Sequence, residues 1–244
     1  MANFKITGNV EPFLKVELKD GEKLYCDSNS MISMHSNLDL DGKMKGGFFG
    51  AFKRKLLNNE SFFQQEITAS RGDGEVVLGP NFTGDILLLD VDDNHNYFLA
   101  DSSYLASSEN IRISPKKQKI SGAFFGNTGG LFVMQTGGYG LVAISGFGSL
   151  EIIDINTSNE DKPFIVDNSH IVAWSSDLNY GIGYATNRES GIIKNVMNSY
   201  TTSEGTIMKF WGKGRVIISS RNRYTYAAIM NNLLLPYKTY NNNG

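Results

Sequence analysis

The sequence predicts an all-β fold built from three internal repeats, and three observations lead to it. A Gly-x-Gly turn opens into an aliphatic strand three times, with spacings of 66 and 74 residues. Aliphatic runs elsewhere have the period of strands. The composition, with 26 Gly and 5 Pro, suits many tight turns between strands. The paired glycines are Gly72 and Gly74, Gly138 and Gly140, and Gly212 and Gly214.

Composition and charge exclude several classes of protein. The chain has 244 residues, 41% hydrophobic and 20% charged, as in a globular protein with a real core. Its net charge of −2 gives no overall positive field that would attract nucleic acid. The single cysteine, Cys26, cannot form an intramolecular disulfide and is predicted to be a small buried residue. No secretory signal or membrane-length apolar run is present, so we expect a cytoplasmic protein.

The strands around the glycine turns recur in the same order along the chain. Leu14, Val16 and Leu18 alternate with charged residues, which is the period of a half-buried strand. Residues 86–89 form a continuous apolar run, typical of a strand covered on both faces. The segment at residues 150–155 matches both of these predicted strands. A serine-containing turn also recurs, and it aligns Ser30, Ser103 and Ser169, with His170 in the place of Met31 and Tyr104.

Matching these segments divides the chain into two complete repeats and two half repeats. Residues 46–110 form one repeat and residues 120–177 form the second. Residues 1–35 and 190–224 each supply half of the pattern, so we expect them to close a third repeat from both termini. That closure would protect strand edges. It predicts that residues 14–18 pack in one unit with residues 216–218.

Short helices are predicted as additions to these β repeats. Phe48, Phe52 and Leu56 are four residues apart and form one apolar face, with residues 51–60 inserted into the first repeat. Packing on the core is favoured over membrane contact, because this helix has only about three turns. Residues 191–197 resemble a second insertion. A further helix is predicted at residues 229–235, ended by Pro236.

Two patterns that suggest ligand binding lack essential residues. A dinucleotide site needs a third glycine and a following helix, whereas aliphatic strand residues follow each glycine pair here. The glycines are therefore predicted to be turn residues with positive φ. Asp90, Asp92 and Asn94 have calcium-loop spacing, but His95 and Asp101 stand where that loop needs Gly and Glu.

The residues that could form catalytic or metal sites are scattered or misplaced. His35, His95 and His170 include no His-x-His pair, which disfavours a metal site. Asp167, Ser169 and His170 are the residue types of a hydrolase triad, but sequence neighbours on a strand point to opposite faces. Ser169 is instead predicted to be a turn serine that bonds local backbone. We therefore predict no catalytic residue, no metal ligand and no cofactor.

Two basic clusters lie at residues 116–119 and at Arg221 with Arg223. Tyr224 and Tyr226 stand beside the second cluster, and aromatic side chains interleaved with cations can bind single-stranded nucleic acid. The net charge of −2 makes this electrostatic footprint weak, so solvated surfaces are favoured for both clusters.

The glycine turns, the Gly-Gly-Phe-Phe-Gly element at residues 46–50 and the segment at residues 169–174 together resemble one family. It is the "altered inheritance of mitochondria" type family, whose function is unknown. The resemblance covers about residues 4–224, and its glycine and aliphatic motifs are specific for fold and silent on activity. It implies three domains similar to the tryptophan RNA-binding attenuator protein (TRAP), each a short double-stranded β-helix, in a pseudo-threefold arrangement. It implies no catalytic residues, and the RNA- and tryptophan-binding motifs of TRAP have no counterpart here.

These patterns favour a non-enzymatic binding or assembly scaffold. Its partner would be another protein or a second copy of the chain. One alternative is an RNA-binding module by analogy with TRAP, which predicts basic residues along one edge. Another is a small-molecule-binding protein or enzyme, which predicts a deep pocket with convergent polar groups.

Overall fold

The computed structural model describes residues 1–41, 64–116, 133–158, 160–184 and 206–238. This part of the chain is almost entirely β, in agreement with the sequence, and divides into two compact units, Met1–Gly146 and Phe147–Gly244. The predicted insertions at residues 51–60 and 191–197, and the element at residues 46–50, lie outside the described residues.

Eighteen strands and one α-helix are present in the described ranges. The strands of the first unit are β1 (Asn3–Thr7), β2 (Phe13–Leu18), β3 (Lys23–Asp27), β4 (Met31–Met34), β5 (Leu38–Asp41), β6 (Gln64–Ala69), β7 (Gly74–Leu78), β8 (Gly84–Val91), β9 (Tyr97–Ala100), β10 (Tyr104–Ser108), β11 (Ile111–Lys116), β12 (Val133–Gly138) and β13 (Gly140–Phe147). The second unit contains β14 (Leu150–Thr157), β15 (Phe164–Asp167), β16 (Ile171–Ser175), β17 (Asn179–Tyr184), β18 (Thr206–Ser219) and the helix α1 (Arg223–Lys238).

Strand pairing reveals three consecutive repeats of one six-strand pattern. Repeat 1 is β2–β7, repeat 2 is β8–β13, and repeat 3 is β14–β18, in which the long β18 supplies the last two strands. In each repeat the final strand lies between the first and the third. The strand before it lies between the second and the fourth.

A β-bulge marks the same position in all three repeats. The register between the third and final strands shifts by one residue, between Met31 and Ser33, Tyr104 and Ala106, and Ile171 and Ala173. Met31, Tyr104 and Ile171 each pair with the fourth residue after the second glycine of their repeat. A bulge bends a strand and increases its twist, so its recurrence shows that the repeats share local geometry.

The predicted closure of a third repeat from the two termini is wrong. β2 pairs with β1 and β7 in the first unit, while β18 pairs with strands of the second unit. Each half repeat therefore joins the half that follows it, and the boundaries predicted at residues 46–110, 120–177 and 1–35 with 190–224 are half a repeat out of phase. The sequence showed which segments are equivalent but not which segments pair.

The predicted serine alignment is also wrong by one residue in repeat 3. Because Ile171 has the register of Met31 and Tyr104, His170 stands where Ser30 and Ser103 stand. Ser30 and Ser103 each donate from Oγ to the carbonyl three residues back, at 2.7 and 2.8 Å. Ser169 lies one position earlier and bonds an aspartate side chain. The alignment of the repeats is therefore given by strand register and not by the identity of a residue at a turn.

Each unit has its own apolar interior. In the first, Leu14, Val16 and Leu18 are buried on one face of β2, as their alternation predicts, and pack in a cluster with Ile67 and Leu78. In the second, the buried ring of Trp174 packs edge-on against Phe210 with centroids 5.9 Å apart, and against Tyr180 at 5.5 Å. Burial of each such side chain contributes roughly 1.5–3 kcal/mol.

Helix α1 is longer than the predicted segment at residues 229–235. It begins at Arg223 and runs past Pro236 to Lys238. The early start follows from Asn222, whose Oδ1 accepts hydrogen bonds from the N–H groups of Tyr224 and Thr225 at 2.8 and 3.2 Å. Asparagine is among the best N-cap residues. Within the described ranges, no helix is long and apolar enough to cross a membrane.

Candidate functional site

The paired glycines form one structural corner in each repeat. The first glycine has positive φ in every copy, at 108° for Gly72, 89° for Gly138 and 110° for Gly212. The second glycine lies close to a neighbouring side chain: an added Cβ would stand 2.6 Å from Leu38 Cδ2 at Gly74. It would stand 2.9 Å from Ser108 Cβ at Gly140 and from Ser175 Cβ at Gly214. The first position therefore favours glycine because of its backbone conformation, and the second favours glycine because a neighbouring side chain lies close to it.

The corner is completed by a side chain that accepts a backbone hydrogen bond. The residue after the second glycine donates its backbone N–H to a side chain that lies at the end of the third strand or one residue beyond it. Glu75 donates to His35 Nδ1 at 3.3 Å, Leu141 to Ser108 Oγ at 3.0 Å and Arg215 to Ser175 Oγ at 2.9 Å. His35 thus has the same role as two serines, which explains it without metal or catalytic chemistry.

The aspartate, serine and histidine near residue 168 form a capped turn. Asp167 Oδ1 accepts hydrogen bonds from the Ser169 N–H at 2.9 Å and from Ser169 Oγ at 2.6 Å, capping a 3-10 turn at Asn168–His170. His170 Nδ1 lies 2.7 Å from the carbonyl oxygen of Ser219, so the ring contacts backbone and not Ser169. This geometry is that of a structural turn, as the sequence predicts for Ser169, but the Ser169 hydroxyl bonds the Asp167 side chain and not the predicted local backbone.

That turn holds the start of α1. Asn222 Nδ2 donates to Ser169 Oγ at 2.7 Å while its Oδ1 caps the helix. Ser219 Oγ lies 3.2 Å from the carbonyl oxygen of Arg221, on the residue before the cap. The polar residues that suggested a hydrolase triad therefore serve to anchor a helix.

An aromatic contact completes the anchor. Tyr226, in the first turn of α1, packs edge-on against Phe147 with ring centroids 5.1 Å apart. The guanidinium of Arg221 lies 5.9 Å from the centroid of the same Phe147 ring. The guanidinium of Arg223 lies 4.9 Å from the Tyr224 ring. The basic cluster and the tyrosines named from the sequence are thus brought together with Phe147, which sequence reasoning missed.

Helix α1 also carries large apolar side chains that are exposed to solvent. Tyr226, Ile229, Leu233 and Leu234 are 47%, 50%, 61% and 61% exposed. Their spacing of three, four and one residues, with the half-buried Met230 among them, places them on one stripe of the helix. We call these five residues the α1 stripe. Contiguous exposed apolar surfaces are common where proteins contact another molecule.

The segment of the sequence that contains β18 and α1 carries charged residues of one sign. Residues 206–238 contain six Lys or Arg and no Asp or Glu, although the chain as a whole has a net charge of −2. Arg221 and Arg223 stand at the helix N-terminus, where the macrodipole favours acidic residues. These arginines therefore do not stabilise the helix through its dipole.

The remaining candidates from the sequence have local structural roles. Asp92 Oδ1 accepts hydrogen bonds from the N–H groups of Asn94 and His95 at 2.7 and 2.8 Å, and the His95 ring lies 2.9 Å from the same oxygen. The hydrogen bond from His95 lowers the pKa of Asp92. No group of three or more His, Cys, Asp or Glu side chains that could hold a metal ion occurs in the described ranges. Lys116 Nζ lies 3.2 Å from Gln135 Oε1, and residues 117–119 lie outside those ranges.

Cys26 lies in the interior, as predicted, beside a half-buried aspartate. Burial raises the pKa of the Cys26 thiol to about 11, which keeps it protonated and unreactive. Burial, with a smaller contribution from the nearby Asp101 carboxylate, raises the pKa of Asp27 to about 6. Asn81 Nδ2 opposes this by donating to Asp27 Oδ2 at 2.9 Å.

Comparison with known proteins places this fold in a family. Residues 4–221 match the family described as Mitochondrial biogenesis AIM24. The chain belongs to this family. The match spans all three six-strand repeats and ends two residues before α1, so the family pattern covers the repeats and leaves α1 outside it.

Two relatives from Streptococcus pyogenes show how far the similarity extends. An uncharacterized protein from serotype M6 is 33% identical over 229 residues, covering 91% of this chain and 87% of its own length. An X-ray crystal structure of a protein from the same species has a TM-score of 0.76 and 31% identity, over 96% of this chain and 100% of that one. Neither description states an activity.

Proposed function

We propose that this member of the AIM24 family is a non-enzymatic binding or assembly scaffold, and that α1 is its docking element. The observation that carries the proposal is the α1 stripe, in which Tyr226, Ile229, Leu233 and Leu234 are 47–61% exposed on one side of a single helix. The anchor at Phe147, Ser169 and Asn222 fixes where this helix begins.

The repeats support a finer description of the scaffold. The structure contains three copies of one six-strand pattern, and each copy has the same bulge and the same glycine corner. Such copies are expected if each repeat is a TRAP-like double-stranded β-helix and the fold repeats it three times. We extend the proposal to that pseudo-threefold arrangement and to a cytoplasmic location for the protein. A scaffold of this kind positions partners through its surface and needs no catalytic group.

Photo-crosslinking tests the docking role without assuming a class of partner. A photoreactive amino acid replaces Leu233 on the stripe, and in a matched variant replaces the exposed Asn232 on the opposite side of the helix. We expect adducts from position 233 in living cells at least five times as abundant as those from position 232. Equal yields from the two positions would show that α1 is not a docking element.

A second candidate function is binding of single-stranded RNA at the N-terminal end of α1. The observation that favours it is the grouping of Arg221 and Arg223 with the rings of Phe147 and Tyr224, since stacking and cations together bind unpaired bases. Fluorescence anisotropy with a labelled single strand should show affinity that falls steeply with salt and falls again in the variant Arg221→Gln with Arg223→Gln. Absence of binding at low salt would eliminate this candidate.

A further inference from the structure

Among the free strand edges of the described ranges, those of β4 and β15 have complementary positions in their repeats. In the first unit β4, the third strand of repeat 1, pairs with β7 and is the last described strand of its sheet. In the second unit β15, the second strand of repeat 3, pairs with β18 alone among the described strands. A free edge carries backbone N–H and C=O groups that can pair with a further strand.

The first unit shows which strands fit together at edges of this kind. The second strand of repeat 1, β3, pairs antiparallel with the third strand of repeat 2, β10. In this pair Tyr25 lies opposite Ser107. The second strand of one repeat therefore matches the third strand of another. Because β15 is a second strand and β4 is a third strand, their free edges are the two halves of one such pair.

The second strands differ in burial as this pairing predicts. Leu24 and Tyr25 of β3 lie six and five residues before the aligned turn position of their repeat, and both are buried. Phe164 and Ile165 of β15 lie six and five residues before His170, the same turn position in repeat 3. They are 38% and 47% exposed. The side chains that β3 buries are thus uncovered on β15.

The third strands differ in the same way at the bulge. The residue inside the bulge is Ile32 in repeat 1, Leu105 in repeat 2 and Val172 in repeat 3. Leu105 and Val172 are buried, and Leu105 belongs to the apolar cluster that contains Leu24 and Cys26 of β3. Ile32 is 55% exposed. The exposed apolar residues of β4 and β15 are therefore those that a strand pair of the β3–β10 type buries.

We infer that this chain binds a second copy of itself by strand addition, with β15 of one copy paired antiparallel to the free edge of β4 of the other. The register of the β3–β10 pair, transferred to these strands, places Ile165 of one copy opposite Met34 of the other. The contact joins two different surfaces, so it is heterologous and builds closed rings or open chains. It uses strand edges and not α1, so it goes beyond the docking role proposed for that helix.

Disulfide trapping between two differently substituted chains tests the pairing. One chain carries Met34→Cys, and the other, distinguishable by mass, carries Ile165→Cys. Residues that lie opposite each other in an antiparallel pair have Cα atoms about 4.5–5.5 Å apart, within the range that a disulfide spans. The control mixture combines Ile165→Cys with Lys5→Cys, an exposed position on β1 at the opposite edge of the sheet that contains β4.

Light scattering over a wide range of protein concentration measures the association itself. The edge variant is Ile32→Lys, since a charge at a strand edge opposes pairing. Its control is Val10→Lys, which changes an exposed apolar residue in the turn between β1 and β2. A third variant, Leu233→Asn with Leu234→Asn, alters α1 alone. Thermal unfolding of every variant checks that the repeats remain folded.

We expect the mixed disulfide to be at least tenfold more abundant in the first mixture than in the control mixture. The average mass of the wild type should rise above that of a monomer with concentration, and Ile32→Lys should weaken this association at least tenfold. The Val10 and leucine variants should associate like the wild type. A monomer at every concentration, or equal disulfide yields in the two mixtures, would overturn the inference. Association that is lost only in the leucine variant would also overturn it, because the copies would then meet through α1, and would leave the docking role intact.

Discussion

Tyr226 packs edge-on against Phe147, with ring centroids 5.1 Å apart and ring planes at 67°. This contact holds the first turn of α1 against Phe147, the first residue of the second unit, while Leu233, two turns further along, is 61% exposed. A helix that is anchored at its first turn and exposed along its apolar stripe can present that stripe to a partner.

Replacing Tyr226 by alanine should release α1 without unfolding the repeats. The edge-on aromatic contact contributes about 0.5–1.5 kcal/mol. We expect a loss of helical signal in far-UV circular dichroism and a melting temperature within about 2 °C of the wild type, because such a contact is small beside the stability of the repeats. The control is Tyr224→Ala, which alters a more exposed ring in the same turn. A large loss of melting temperature in Tyr226→Ala would show that α1 is part of the folded core.

The glycine corners predict a sharp difference between two adjacent substitutions. Gly138 has a φ of 89°, and a Cβ there would clash with the backbone carbonyl oxygen of Asn110. Gly137, next to it, has open space around the equivalent position. Gly138→Ala should therefore cost about 2–4 kcal/mol of unfolding free energy, and Gly137→Ala less than about 1 kcal/mol. Chemical denaturation measures both, and equal costs would contradict the assigned corner geometry.

Asp27 should make stability fall as pH rises through the mildly acidic range. Burial raises its pKa in the folded protein from 3.8 to about 6, so the folded state binds this proton more tightly than the unfolded state does. The resulting stabilisation is complete below about pH 4 and is lost as pH rises to about 6. Allowing for the solvent that reaches a half-buried carboxylate, the loss is about 1–2 kcal/mol.

The variant Asp27→Asn should remove that pH dependence and be more stable than the wild type at pH 7. Urea denaturation between pH 4 and pH 8 measures the effect. The matched control is Asp93→Asn, which changes an exposed carboxylate in a loop and should leave the pH profile unaltered. A wild-type profile that is flat between pH 4 and pH 6 would contradict the burial of Asp27.

Cys26 should resist thiol reagents in the native protein. Its side chain is 0% exposed and burial raises the pKa of the thiol to about 11. We expect labelling by a disulfide reagent at pH 7.5 to be at least a hundredfold slower than in denaturant, where the thiolate forms at its ordinary pKa. Rapid stoichiometric labelling without denaturant would show that β3 is open to solvent.

The class of fold and the equivalent segments of the three repeats could be predicted from the sequence. Alternation at Leu14, Val16 and Leu18 predicted a strand with one buried face, and β2 has that face. The phase of the repeats could not be obtained in the same way. Similarity identifies equivalent strands, but pairing depends on which strands meet after folding, and β7 meets β2 while β18 meets β14.

The candidate site was only partly visible in the sequence. Arg221, Arg223, Tyr224 and Tyr226 were recognised as a cluster, yet the helix was expected to begin at residue 229. The capping signal was present in Asn222, since asparagine before a helix satisfies the first free N–H groups. The contact with Phe147 could not be predicted, because it joins residues 79 positions apart.

Hydrogen exchange along α1 tests the central claim most directly. Backbone amides of residues 224–235 are followed by mass spectrometry in the purified chain and in complexes of the chain isolated from cells by affinity capture. We predict rapid exchange in the purified chain and exchange at least tenfold slower in the isolated complexes, while β2 and β7 exchange equally in both. Exchange along α1 that is equal in the two samples would contradict the claim that this helix is a docking element.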